Sequence, residues 1–257
     1  MYNDFARIYD KLQPDSEYEK FANYMEEIFA RFEKSPKLIL DLACGTGRLT
    51  AILAARGYDM IGVDISDDAL NLAAERAKST SLEILFLHQD MTDFELFGTI
   101  DAIVCCFDSV NYVTDLRSLR RMFKLCENYL NPGGLLIFDI NTPRKFEKTL
   151  ANNTFVFDSS SENESFEDIF CIWENNYSRG RNEFHLTFFE KSDEIGGNYA
   201  RFEETHVQRC YEFDEIEKLF LGLKMSRKAC CHEFSFNSPR QSSERIFYIF
   251  EKDVDNA

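Results

Sequence analysis

No apolar run in the 257-residue sequence approaches the roughly 18 residues that a membrane-spanning helix requires, so a membrane protein is not expected. The N-terminal stretch "MYNDFARIYD" lacks the basic and apolar regions of a secretion signal, which favours a cytoplasmic location. Zinc-type C-x-x-C spacing is also missing, although the chain carries eight cysteines. Cys44, Cys126, Cys171 and Cys210 each stand alone in apolar or aromatic surroundings. The adjacent pairs Cys105-Cys106 and Cys230-Cys231 fall in strand-like runs, where neighbours point to opposite faces. Buried, reduced thiols are therefore expected, without a disulfide framework or a cysteine metal site. Positive charge is scarce: 29 Lys and Arg stand against 45 Asp and Glu, for a net charge of −16. Binding to a nucleic-acid backbone relies on neutralising cations, and no basic cluster offsets the balance. A small molecule is the expected partner.

What the chain does have is 44% hydrophobic residues, enough for one large core or two small ones. Ser16-Glu17-Tyr18-Glu19 reads as a capping box, followed by Phe21, Tyr24, Met25, Ile28 and Phe32 at helical spacing. From Leu38 the rhythm becomes strand, loop, helix, repeated. "LILDL", "MIGVDI", "LEILFLHQD", "IDAIVCCFD" and "GGLLIFDIN" read as strands, with helices over 49–56, after Ser66 and over 115–130. Buried strands separated by single helices make βαβ units and a parallel sheet covered on both sides. Right-handed crossovers then place the following loops along one carboxyl edge, where ligands bind. From residue 151 the pattern turns aromatic and loses its helical period, with strands over 168–177, 181–191 and 199–211. A helix carrying Ile216, Leu219 and Phe220 and two strands, "KACCHEFSF" and "RIFYIFEK", follow.

The expected fold is α/β: a doubly wound, mostly parallel seven-stranded sheet, with an antiparallel β cap inserted after strand five. Residues 1–150 and 211–257 would form the main domain, with 1–35 as an N-terminal helical cap and 151–210 as a substrate cap.

The loop in "LILDLACGTGRLT" narrows the ligand. A dinucleotide fingerprint needs a third glycine where Thr50 stands, and a P-loop needs Gly-Lys-Ser/Thr where Arg48-Leu49 stands. Asp41 at the loop's mouth would repel a pyrophosphate but suits an ammonium group. Asp64, ending the second strand, offers two acceptors to a ribose diol, and Asp90, ending the third, can accept from an exocyclic amine. A ligand with an ammonium end, a ribose and an adenine but no diphosphate is S-adenosylmethionine.

Five ordered motifs carry a resemblance: "LDLACGTGRLT", "GVDIS", "HQDM", "DAIVCCFDSVNYV" and "LNPGGLLIFDIN". Over residues 38–141 the chain resembles the class I S-adenosylmethionine-dependent methyltransferases. "YNDFARIYD" and "EETHVQRCYEFDEIEKLFLGLKM" are similar to cap segments of the bacterial small-molecule subgroup, itself similar to glycine N-methyltransferase and the aminosugar N-methyltransferases. The resemblance implies that Ala43, Gly45 and Gly47 let the backbone approach the methionyl part, with Asp41 near its amino group. It implies Asp64 on the ribose, Ile65 against the adenine, Asp90 and Met91 on the adenine edge, and Phe107 beside the sulfonium, with Tyr9 closing over the cofactor. It also implies methyl transfer to a nitrogen or oxygen of a small molecule, with nitrogen preferred. A non-catalytic cofactor-binding protein and an RNA-modifying enzyme are the alternatives.

A hydroxyl acceptor would want a base, and His206, Tyr112 and Asp108 are candidates. Arg209, on the other face of the last cap strand, could hold an anionic group or pair with a nearby glutamate. Asp108, Asp139 and Asn141 end strands four and five and could bind magnesium. The insertion and the "DIN" sequence fit a metal-free subgroup better, so no metal is expected. The assembly expected is a monomer or homodimer.

Overall fold

The computed structural model describes residues 6, 8, 10, 14–158, 169–191 and 198–254. Helix α1 (Asp15–Arg31) starts directly after Pro14, whose extended backbone forms the N-cap without any side-chain bond. The capping box expected at Ser16–Glu19 therefore does not form. Proline pre-sets the entry backbone, so Ser16 falls inside the first turn, where Asp15 and Glu17 complement the helix dipole. Tyr18, Phe21, Tyr24, Met25 and Ile28 make the buried face.

Strand β1 (Leu38–Leu42), α2 (Arg48–Ala55), β2 (Asp59–Asp64), α3 (Asp67–Ser79) and β3 (Ile84–His88) make up the first half of the main domain. Strand β4 (Ile100–Cys105), a 3-10 turn (Ser109–Tyr112), α4 (Leu116–Tyr129) and β5 (Leu130–Asn141) make the second. Ser66 caps α3 by accepting from the Ala69 amide at 3.2 Å, and Asp115 caps α4 through the Ser118 amide at 2.9 Å. After the cap come α5 (Phe213–Leu219), β10 (Met225–His232) and β11 (Arg245–Lys252). The seven-stranded sheet runs β10-β11-β5-β4-β1-β2-β3. All neighbours from β5 to β3 are parallel, and β11 is antiparallel to both β5 and β10. The chain winds one way from β1 and the other way from β4, so a crevice opens where those two strands lie side by side.

Two apolar cores cover the sheet. One holds Leu40, Leu42, Ile103 and Cys105 with α4, α5 and β11 side chains; Phe220 stacks on Phe250 with ring centres 3.6 Å apart. The other holds Ile39, Val104 and Cys106 beneath α1 and α2. Adjacent cysteines thus enter opposite cores, and all eight thiols are free.

A second, four-stranded antiparallel sheet follows β5: β6 (Thr154–Asp158), β7 (Ile169–Ser178), β8 (Arg181–Lys191) and β9 (Tyr199–Arg209). Strand β6 is the part that the aromatic pattern left unassigned, because its outward residues Thr154, Val156, Phe157 and Asp158 alternate poorly. Pairing with β7 sets it in place. The end of β9 is tied to the main domain by Asn111, whose Nδ2 donates to the Arg209 carbonyl at 2.8 Å, and by the Tyr211 hydroxyl, which donates to the Val113 carbonyl. Among the described residues no helix is long and apolar enough to cross a membrane.

Gly62, inside β2, sits where a Cβ would lie 2.6 Å from the Phe86 ring and 2.9 Å from Cys44 Sγ. Gly62→Ala is expected to lower stability by about 1–3 kcal/mol through overpacking, read from the denaturant midpoint at constant m.

Candidate functional site

The loop between β1 and α2 owes its shape to three left-handed residues: Ala43 (φ 62°), Gly45 (φ 55°) and Gly47 (φ 70°). The Cys44 amide donates to the Val63 carbonyl at 3.0 Å, and the Gly47 amide to the Cys44 carbonyl at 3.0 Å, which closes the turn. The two glycines serve different needs. A Cβ on Gly47 would sit 2.8 Å from the Ala73 Cβ, so this glycine lets α2 start hard against α3. A Cβ on Gly45 would meet nothing within 4 Å, so the loop turns its bare backbone to open space there.

Asp64 secures this loop. Its Oδ2 accepts from the Gly45 amide at 2.7 Å and its Oδ1 from the Ser66 amide at 2.8 Å. Burial raises its pKa while these amides pull it back down. Beside it, His88 Nε2 lies 2.7 Å from the Ile65 carbonyl and Nδ1 lies 2.9 Å from Asp67. Next to this brace the Ile65 residue is 66% exposed. Asp90 accepts from the Thr92 amide at 2.7 Å and closes the turn after β3.

Asp64, Ile65, Asp90 and Met91 line a cleft of about 360 Å³ together with Ala43 and Tyr112. Six of the residues singled out in the sequence therefore come together. Thr92, Val113, Thr114, Asp115 and Ser118 line it too. Of these only Val113 falls within a motif quoted from the sequence.

Asp41 lies deeper than a position at the loop's mouth. It is 2% exposed, accepts from the Thr50 hydroxyl at 2.6 Å, and burial pushes its pKa up to about 7. Phe107 departs further from its expected place beside the sulfonium. Positive φ at Phe107 (58°) and Asp108 (50°) turns the chain so that the ring stacks on Phe21 at 4.0 Å and meets Tyr18 at 4.6 Å, beneath α1. Phe107 is not among the residues that line the cleft. Tyr9 lies outside the described residues. Its neighbour Asp10 shows how the N-terminal segment engages the site: its carboxylate accepts from the Thr46 hydroxyl and from Arg76, and its carbonyl accepts from Arg48 at 2.8 Å. Thr46 stands between the two loop glycines, so the N-terminal segment is latched to the loop itself.

On the acceptor side, His206 meets Tyr112 edge-on with ring centres 5.8 Å apart, and burial lowers the His206 pKa. Arg209 takes no part in this pairing. On the opposite face of β9 its guanidinium donates to Glu215 at 2.7 Å and to the Thr114 carbonyl at 3.3 Å, tying α5 to the loop after β4. Asp108 and Asp139 converge on a guanidinium: Arg245 donates to Asp108 Oδ1 at 2.9 Å and also to Asp139 Oδ2. The Asp108 amide donates to Asp139 at 2.9 Å, and Gln208 Nε2 donates to Asp108 Oδ2 at 2.7 Å. A protein cation thus stands where the magnesium reading would have put a metal. Arg245 carried no motif that could have marked it in the sequence, whereas Gln208 lies inside the quoted cap segment on the same strand face as His206.

The raised pKa of Asp41 has a signed consequence. Its carboxyl holds its proton more tightly folded (about 7) than unfolded (3.8), so the stability it contributes is full below pH 3.8 and lost as pH rises through 7. Asp41→Asn is expected to flatten the fall in melting temperature over that window and to leave the variant the more stable above pH 7.

Comparison with known proteins agrees with this geometry. Residues 39–134 match the model of a family described as a methyltransferase domain. The chain is 33% identical to "Putative methyltransferase YqeM" of Bacillus subtilis (strain 168), over 98% of this chain and 97% of that one. The crystal structure of an S-adenosylmethionine-dependent methyltransferase from Clostridium acetobutylicum ATCC 824 superposes with a TM-score of 0.86 at 32% identity, covering 98% and 99% of the two chains. The sugar N-methyltransferase KedS8 from Streptoalloteichus sp ATCC 53650 shares the fold at a TM-score of 0.76 and 17% identity, over 92% and 88%. Likeness over nearly the full length of both chains, with a glycine loop, a ribose-type aspartate and an open cleft at the switch point, places the protein in the class I S-adenosylmethionine-dependent methyltransferases, with S-adenosylmethionine as its cofactor.

Proposed function

We propose that the protein methylates a nitrogen of a small molecule. The observation that carries this reading is the make-up of the cleft. One wall offers Ala43, Asp64, Ile65, Asp90 and Met91, and the other offers Tyr112, with His206 against it. The first wall suits a nucleoside: Asp64 for the ribose hydroxyls, the exposed Ile65 for the adenine face, Asp90 and the Met91 backbone for its edge. Gly45 lets the backbone approach the methionyl part, and the buried Asp41 favours an ammonium nearby by charge. The cofactor supplies a methyl group on a sulfonium, whose leaving group is a neutral thioether.

The chain's own contribution is alignment, exclusion of water and a place for a proton. His206 has its pKa lowered by burial, so the imidazole is neutral at neutral pH and able to accept a proton from the methyl acceptor. Residues 151–210, carrying His206 and Gln208 on one face of β9, act as the substrate cap. A sugar N-methyltransferase with the same fold supports nitrogen over oxygen as the atom methylated.

Three measurements test the reading. Production of S-adenosylhomocysteine against a panel of small amines and phenols is expected with an amine; cofactor binding without turnover on any member would mark a binding protein instead. Asp64→Ala is expected to weaken cofactor binding by about 2–4 kcal/mol in calorimetry, since each hydrogen bond to a charged group is worth about 1.5–3. His206→Gln is expected to lower kcat and remove the acid limb of the pH–rate profile while the cofactor Kd stays within experimental error. A large loss of cofactor affinity in that variant would instead place His206 on the donor side.

A further inference from the structure

Three buried acceptor oxygens have no hydrogen-bond partner among the described residues and belong to two adjoining strand ends: Asp139 Oδ1, Asn141 Oδ1 and Gln208 Oε1. Their residues are 0%, 3% and 2% exposed. Asp139 and Asn141 are two apart at the end of β5 and so share a face, and Gln208 faces inward near the end of β9. Asp108 joins the strands, since its amide donates to Asp139 at 2.9 Å and its carboxylate accepts from Gln208 at 2.7 Å. His206, two residues before Gln208 on the same face of β9, meets the ring of Tyr112, which lines the cleft. The cluster therefore sits on the acceptor side of the site, at the carboxyl edge of the sheet.

A buried acceptor without a donor is costly, so three together call for a ligand that brings donors. Two of the oxygens have a fixed character. The bond from Nε2 to Asp108 sets the orientation of the Gln208 amide, so its Oε1 is an acceptor. Asp139 Oδ2 is engaged by Arg245 and the Asp108 amide, which leaves Oδ1 as the open carboxylate oxygen. Arg245 pairs with both Asp108 and Asp139. Lys145 is close enough to feel both carboxylates, which favour its charged form while burial lowers its pKa. An anionic ligand would meet unpaired oxygens here, and a hydroxyl offers one proton; an ammonium offers several protons and suits the open oxygen of a carboxylate.

We propose that Asp139 Oδ1 and Gln208 Oε1 hold the amino group of the methyl acceptor, which enters as a primary or secondary ammonium. The assignment rests on the methyltransferase reading and adds to it the residues that select the acceptor. One proton must leave that nitrogen before it becomes a nucleophile. His206, on the same face of β9 as Gln208, is the group that receives it.

The test uses the full chain loaded with S-adenosylhomocysteine. Calorimetry would measure a panel of amino sugars, amino alcohols and amino acid esters, each with its N-acetyl and hydroxyl counterpart. At least one ammonium compound is expected to bind while its two counterparts do not. Asp139→Asn and Gln208→Leu are each expected to weaken that binding by about 10-fold or more, with S-adenosylhomocysteine affinity unchanged and a cooperative melt retained. Equal binding of the N-acetyl counterpart would overturn the proposal. So would absence of amine binding at millimolar concentration, or amine affinity unchanged in both variants. Methyl transfer to a hydroxyl acceptor that survives in Asp139→Asn would overturn this assignment and leave the methyltransferase reading standing. Ammonium binding lost in Asp139→Asn, with no turnover on any panel member, would do the reverse.

Discussion

A single guanidinium holds the acceptor side of this protein together. Arg245 begins β11, yet it donates to Asp108 in the turn after β4 and to Asp139 near the end of β5. Burial alone would lower its pKa, but the two carboxylates more than offset that, so it stays charged. Removing Arg245 would leave the buried Asp139 carboxylate without its cation, which is far costlier than losing a surface ion pair. Through Asp108 the same network reaches Gln208 on the cap strand β9. The turn after β4, the antiparallel strand β11 and the cap sheet therefore depend on one another.

The donor side is built on a different principle. Backbone turns rather than ion pairs shape it: a left-handed loop, two glycines and one aspartate whose oxygens meet the amides of Gly45 and Ser66. Such bonds form between neighbouring strand ends and need no distant partner. Asp10 attaches to the centre of this loop, where it meets Thr46, Arg48 and Arg76. Arg48 in turn lies over the Tyr18 ring, 4.0 Å from its centre, so α1 and the loop share one cation.

Much of the fold was legible because the strand–loop–helix rhythm from Leu38 to Asn141 is local and periodic. The cap helix was legible too, but its start was not: Pro14 pre-set the entry and made Ser16 redundant as a cap. Strand β6 escaped notice because its side chains alternate poorly and its only neighbour in the sheet is β7. Phe107 was misplaced for a backbone reason, since two consecutive positive φ values swing its ring under α1. Nothing in "CCFDSVNYV" announces those angles.

The sequence by itself determined the loop and the wall of the cleft beside it: Gly45, Gly47, Asp64, Ile65, Asp90 and Met91 all lie at strand ends set by short-range spacing. Residues a few positions apart on a regular strand–turn–helix unit have nearly fixed relations in space, so their chemistry can be read in order. Tertiary structure decided the acceptor half. Arg245 and Asp108 are 137 residues apart, Gln208 and Asp108 100, and Asn111 and Arg209 98. No local periodicity specifies such pairs; only the packing of the cap and β11 against the ends of β4 and β5 brings them together. The assembled fold likewise buries Asp41 beside Thr50 and leaves Asp139 and Gln208 with open oxygens, because burial and satisfaction are properties of the whole rather than of any segment.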